Sequence, residues 1–398
     1  MHLFHIQKRE IHDYIGVSLL FLLSGTVFGF MLHAAVFVFL FFIFSIFYFF
    51  KKKHSFNQKV FFYYLCYILW LSFSYFWVGG HASNDFKFFV VYLALATGSL
   101  LILQSIEYER FKKIYLNIAA FIAFTSVILF LLHLYNLIPI EHVFKPGTQK
   151  PYMMFAFNNF GWFVSFQRCA GPYWEPGAFQ IVLNYALVLY FDEISKLKIS
   201  RNEGLKILCI ITAIMMTQST AGFINLIILA LIIIVNTKVK KRQLFKYICA
   251  SIVLISFSGI LLSSDTIQKK FFQRGSEGTS YEVRQSDNLA MLQMTYEKPI
   301  VGYGLVSNEF RQRGNILGNT TSSNGLLVIA SQLGIPFFIC IIIALYSSLK
   351  HYFPNKTPLF LLLVLLLQST EVFFYFPISF LFLFNRRPSK TMLPLSNG

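Results

Sequence analysis

The sequence predicts an all-α membrane protein of about twelve transmembrane helices with two large loops on one side of the bilayer. Three observations carry this: composition, long stretches without charge, and the placement of the basic residues. Hydrophobic residues make up 56% of the 398 and aromatic residues 18%, while only 13% are charged; a soluble domain carries roughly 25% charged residues. Forty-eight Phe exceed what an aqueous fold can hide, and in lipid each crossing must be a helix that satisfies its own backbone. The net charge of +17 lies between the apolar stretches. Membrane topology accounts for it there, and without a stacking or groove-reading module it does not point to nucleic acid.

Dividing the chain at its charge clusters predicts spans over 14–31, 34–50, 60–78, 88–106, 114–137, 177–191, 205–219, 221–236, 244–262, 324–349, 357–370 and 372–384. The first two form a hairpin near His33, because Tyr14 to Phe50 carries no Lys, Arg, Asp or Glu and exceeds one crossing of about 20 residues. Lys51 to Lys53 and Lys59 separate the second span from the third, and Arg110, Lys112 and Lys113 precede the fifth. The sixth begins behind Pro176, which suits a first helical turn. Thr217 to Gly222 divides 205–236, and Gln368 to Glu371 divides 357–384 into halves short enough for a re-entrant pair. The chain reads as one polytopic domain over 1–398, and a cleaved signal peptide is not expected, since no small-residue cleavage site follows the first apolar stretch.

Most of the 34 Lys and Arg fall in short segments on the amino-terminal side of this arrangement, so both termini, including the 386–398 tail, are expected in the cytoplasm. The loops 138–176 and 263–323 then face out, and loops of that length usually have a function. Cys169 is the one cysteine expected outside the spans, so no internal disulfide is expected. No Cys/His spacing suggests a metal.

The first loop ends in Arg168-Cys169-Ala170-Gly171-Pro172-Tyr173-Trp174-Glu175-Pro176-Gly177. Glu175 falls at a helix amino terminus, where the dipole favours its ionised form. It is either a cap paired with Arg168 or part of a site. The second loop carries Arg274, Arg284, Arg311 and Arg313 around the turn Pro299 to Gly304. Arginine's planar fork suits phosphate, although anionic headgroups or loop carboxylates would also engage it. Glu371, close to hydrocarbon, has either a site role or a route to water at a short turn.

Taken in order, Arg168…Glu175-Pro176-Gly177, the polar Thr217 to Gly222 turn, Arg284, Pro299…Gly302-Tyr303-Gly304…Phe310, Ser323-Asn324 and Leu333-Gly334-Ile335 resemble the bacterial O-antigen polymerase (Wzy) family. That family sits within a larger group that also contains the O-antigen ligases. The resemblance covers most of residues 165–375, while the first five spans match only as hydrophobic helices. It implies a GT-C type glycosyltransferase fold in the bacterial inner membrane, with periplasmic loops and no metal or cofactor. The implied donor is a glycan on undecaprenyl diphosphate and the acceptor a new lipid-linked repeat unit, with a chain-length regulator and a flippase as possible partners. On this reading Glu175 serves as base, with Glu371 or Glu309 behind it, and Arg168 and Arg284 stabilise the diphosphate. Arg311, Arg313, Arg274, Tyr303, Trp174, Asn324 and Glu371 would contact diphosphate or glycan. Ligase-like members are expected to carry His-Asn where this chain has Ser323-Asn324, which favours a polymerase over a ligase. A flippase is the alternative of another class, disfavoured by apolar mid-span residues and the absence of an internal repeat.

Overall fold

The computed structural model describes residues 11–27, 34–52, 56–81, 85–139, 141–143, 152–156, 158–160, 168–196, 198–236, 259, 280–318, 322 and 324–385. The expected hairpin near His33, the 244–262 span apart from residue 259, Arg274, Ser323 and the 386–398 tail lie outside them. The fold is a helical membrane bundle. Its first helices are α1 (Ile11–Leu22), α2 (Ala34–Lys52), α3 (Gln58–Trp77), α4 (Phe86–Ser105) and α5 (Tyr108–Leu134). Then follow α6 (Pro176–Leu189), α7 (Phe191–Ser195), α8 (Arg201–Met216), α9 (Thr220–Asn236), α10 (Ser280–Glu297) and α11 (Asn308–Ile316). The chain continues through α12 (Gly325–Leu333), α13 (Ile335–Tyr352), α14 (Thr357–Gln368) and α15 (Leu381–Phe384). Among the described residues, α2, α3, α4, α5 and α13 are long and apolar enough to cross a membrane, and α1, α6, α9 and α14 are shorter apolar helices.

Local sequence fixes several boundaries. The Asn57 Oδ1 accepts from the Lys59 and Val60 amides at 3.1 and 3.5 Å and opens α3. Ser200 and Glu203 cap α8 reciprocally, satisfying two amides that a helix start would otherwise leave bare. α6 is the centre of the bundle: every residue from Pro176 to Leu189 is buried, against α5, α8 and α9. Around it, Phe39, Phe47, Phe50, Phe62, Leu69, Phe76 and Phe121 point outward, as a lipid solvent permits.

Two segments depart from the expected layout. Residues 324–349, expected as one span, form two helices. Gly334 adopts φ +84°, and Pro336 in a continuous helix would clash with the carbonyl four residues back. The freed Ile335 amide donates to the Pro299 carbonyl at 2.7 Å. The last apolar segment, 372–384, holds only a 3₁₀ turn over Pro377–Phe380 and the single turn of α15.

The first large loop contains a three-stranded antiparallel sheet, β1 (Glu141–Val143), β2 (Tyr152–Phe155) and β3 (Asn158–Asn159), with Glu141 opposite Met154 and Met154 opposite Asn159. The second contains α10 and α11. At the other end of the bundle, Asp13 on α1 is 1% exposed. It accepts from the Tyr48 hydroxyl, lies 3.2 Å from the Lys52 Nζ and pairs with Arg110, tying α1, α2 and α5 together.

Candidate active site

The segment carrying Arg168 and Glu175 is held from several sides by main-chain bonds. The Cys169 amide donates to Met216 O at 2.9 Å, the Asn159 amide to Gly171 O at 2.7 Å, and the Val27 amide to Pro172 O at 2.8 Å. The Asn159 side chain donates to the carbonyls of Tyr173 and Trp174 at 3.1 and 3.2 Å. Gly171 turns the chain with φ +54°, a conformation that costs a side-chain-bearing residue free energy. With its backbone fixed, Arg168 directs its Nε to Thr217 O at 3.1 Å, which explains why the polar 217–222 turn accompanies it.

Glu175 stands at the N-cap of α6 in extended conformation but makes no capping hydrogen bond. Its carboxylate hydrogen-bonds with Glu371 instead. The reading of Glu175 as a cap is therefore set aside, as is that of Glu371 reaching water: Glu371 is 6% exposed. Two glycines admit it. A Cβ at Gly177 would strike the Glu371 carboxylate and come within 3.4 Å of Glu175 Oε1, and one at Gly325 would strike the Glu371 carbonyl. Gln180 on α6 donates to Thr370 Oγ1 at 3.3 Å, and Gln368 donates to the Tyr185 hydroxyl at 2.6 Å. The turn that carries Glu371 is thus pinned along α6. Trp174 packs on Phe373 and Phe376, with ring centroids 5.6 and 5.4 Å apart, and covers the turn from the Gly25 side.

The electrostatics join a fourth element. Burial, and then the hydrogen bond to Glu175, hold the Glu371 carboxyl well above the ordinary carboxylate range, while Arg284 and Arg168 pull it down. Burial pushes the Arg168 guanidinium down to about 10, opposed by Glu175 and Glu371 and assisted by Arg284. Two carboxyls and two guanidiniums, from the first loop, α10 and the end of α14, therefore act on one another. Burial thus favours the protonated form of Glu371, and a proton held there leaves an excess of positive charge from the two arginines. Asp287, one turn along α10 from Arg284, offsets part of that excess; burial raises its own proton affinity. Arg284 is exposed, so its fork is open to an incoming group.

Other expected site residues are placed differently. Arg311 binds Asp85 at 2.5 Å and Asn308 at 3.2 Å. The Arg313 Nε lies 2.8 Å from Glu297 Oε2, and the Tyr303 hydroxyl donates to that same carboxylate. Lys298 pairs with Glu309. These contacts fold the 297–313 segment onto itself and, through Asp85, tie it to the start of α4. Asn324 caps α12, its Oδ1 accepting from the Leu327 amide at 3.3 Å. Gln180, Asn184 and Asp287 had not been singled out; the signal was present in Gln180 and Asn184, one helical turn apart in an otherwise apolar stretch.

Residues 205–342 match the family model described as O-antigen ligase. The matched stretch includes Arg284, the 297–313 segment and Gly325, so the resemblance to the group of O-antigen polymerases and ligases holds over a region that carries one of the site's four charged groups. Members of that group are glycosyltransferase-like enzymes. No curated protein and no solved structure matches the chain.

Proposed function

We propose that the protein is an O-antigen polymerase, or one for a related surface polysaccharide, working at the periplasmic face of the bacterial inner membrane with both termini in the cytoplasm. The observation that carries this is the convergence of Glu175 and Glu371 with Arg168 and Arg284. A polymerase of this type has about twelve spans and a GT-C type architecture, and the bundle with its two elaborated loops supports that form. Ser323 in place of the histidine expected of ligases supports polymerase over ligase.

In the proposed reaction the nonreducing-end hydroxyl of a new repeat unit attacks the anomeric carbon of the growing chain. The new C–O bond forms as the bond to the undecaprenyl diphosphate breaks, and the diphosphate leaves with the bonding electron pair. Glu175, at the start of α6 beside Glu371, accepts the hydroxyl proton. Glu371 keeps its own proton and orients Glu175 by donating to it. Arg168 and Arg284 bind the diphosphate and stabilise the charge that grows on it. A chain-length regulator and a flippase of the same pathway are the expected partners.

The test is lipopolysaccharide banding in a strain lacking the protein and complemented with Glu175→Gln at equal protein level. Core plus a single repeat unit is the expected pattern. Bare core with accumulated lipid-linked polymer would make the protein a ligase, bare core with units trapped inside a flippase, and normal chains would remove Glu175 from the mechanism.

A further inference from the structure

We infer that a pocket at the end of the bundle opposite the candidate site binds the phosphate of an anionic phospholipid. The pocket lies between the start of α3, the last turn of α13 and the end of α15. α14 separates it from Glu371: that helix begins a short turn after α13, and Glu371 lies beyond its far end. At about 130 Å³ the cavity is smaller than the roughly 300–1,000 Å³ of clefts for drug-sized ligands. It suits a small polar group, not a sugar or a chain.

The lining selects the charge of that group. Lys59 brings an ammonium from α3 and His351 an imidazole from α13, and no Asp or Glu is among the lining residues. Ser347 and Ser348 lie one helical turn before His351 and Tyr352, so α13 turns hydroxyls and rings toward the same space. The amino terminus of α3, capped by Asn57, favours an anion. The carboxyl end of α13 has the opposite sign, which Lys350 and His351 in its last turn offset. A phosphate finds several donors here, whereas a zwitterionic headgroup would set its own ammonium against Lys59.

The walls are fixed to one another. Gln104 on α4 accepts from the Asn57 amide at 3.2 Å and donates to the Phe384 carbonyl, which ties the start of α3 to the end of α15. Tyr352 is 2% exposed and packs on Tyr108 with ring centroids 5.0 Å apart. Its ring is therefore a rigid side of the pocket.

The surroundings select a lipid as the source of the phosphate. Along the same two helices, Phe62 on α3 and Ile339, Ile343 and Tyr346 on α13 are exposed, and such surface meets acyl chains in a bilayer. The adjoining sequence carries Lys51 to Lys53, Lys350 and Lys356, and basic pockets between membrane helices on the cytoplasmic side take acidic headgroups. The assignment of this end to the cytoplasmic leaflet rests on the proposed orientation; the phosphate chemistry rests on the lining alone.

The experiment is native mass spectrometry of the full-length protein, delipidated in detergent and supplied with phosphatidylglycerol or phosphatidylethanolamine of the same acyl chains at equal concentration. The parent should retain one phosphatidylglycerol about fivefold more than phosphatidylethanolamine. Lys59→Ala should reduce that adduct about fivefold, and Ser348→Trp, which fills the pocket without changing charge, should do the same. Lys198→Ala, at an exposed position outside the pocket, should bind like the parent. Equal retention of the two lipids overturns the proposal, as does full retention in Ser348→Trp or a loss in Lys198→Ala equal to that in Lys59→Ala. Displacement of phosphatidylglycerol by millimolar inorganic phosphate would overturn the lipid assignment in favour of a free ion. The parent's preference can overturn the proposal alone, so a variant that fails to fold does not shield it.

Discussion

The two ends of the bundle each bury a carboxylate, and they treat it in opposite ways. Asp13 is surrounded by donors, with Tyr48, Lys52 and Arg110 converging on it from two other helices. Glu371 faces another carboxyl, and one of its two arginines, Arg168, spends its Nε on a backbone carbonyl. Opposite charges gathered to balance hold helices together. Like groups forced together, beside arginines not fully committed, hold electrostatic capacity in reserve for something that arrives later. The 297–313 segment belongs with Asp13 in this respect: Arg311 and Arg313 each already have a carboxylate.

If that division is right, removing an uncommitted arginine costs turnover and removing a committed one costs stability. Arg284→Ala should lower polymer formation per molecule by about 10²- to 10³-fold, measured as chain length against immunoblotted protein, with the melting temperature nearly unchanged. An unaltered chain-length distribution would place Arg284 with the structural arginines. The carboxyl pair gives the next largest effect, seen in pH dependence. Glu371 binds its proton more tightly in the fold than in the unfolded chain. The stability it contributes is therefore full at pH below its unfolded value of 4.5 and is lost as pH rises through the higher native value. Activity should fall over that same rise in pH, as the donor to Glu175 disappears. Glu371→Gln keeps a donor and cannot ionise, so it should stay active and lose the fall with rising pH in both activity and thermal stability.

At the other end, Asp13→Ala should destabilise the protein by about 3 kcal/mol, read as a lower melting temperature in detergent, with activity per folded molecule preserved. The smallest effect is expected of Arg311→Ala. Its pair with Asp85 is partly open to solvent, so the loss should be about 1 kcal/mol, with normal chain length at equal protein level. A short-chain phenotype in Arg311→Ala would move that residue into the site and blur the contrast.

Much of this was legible in the sequence because hydrophobic length and local motifs are short-range signals. The helices over 58–77, 86–105 and 108–134 lie close to the predicted spans, and Arg168, Glu175, Arg284 and Glu371 had all been named. Their mutual arrangement was not legible. The carboxyl pair joins positions 196 residues apart, an approach that nothing local encodes. The Asp85 partner of Arg311 is 226 positions away, so a guanidinium occupied by a carboxylate looks in sequence like one waiting for phosphate. Gly334-Ile335-Pro336 did contain the signal for the break in 324–349, and the continuous hydropathy across it masked that signal.

Gly177 makes the fit between the two carboxyls depend on something missing. The space of its absent methyl group is where the Glu371 carboxylate sits, so the site is a casting whose mould includes one empty position. An alanine there would leave all four charged groups intact and still spoil their alignment. Shortening Glu371 to aspartate would return the room just taken. A lesion of this kind is repaired by a second change of matching size, which separates crowding from lost chemistry without altering the charges.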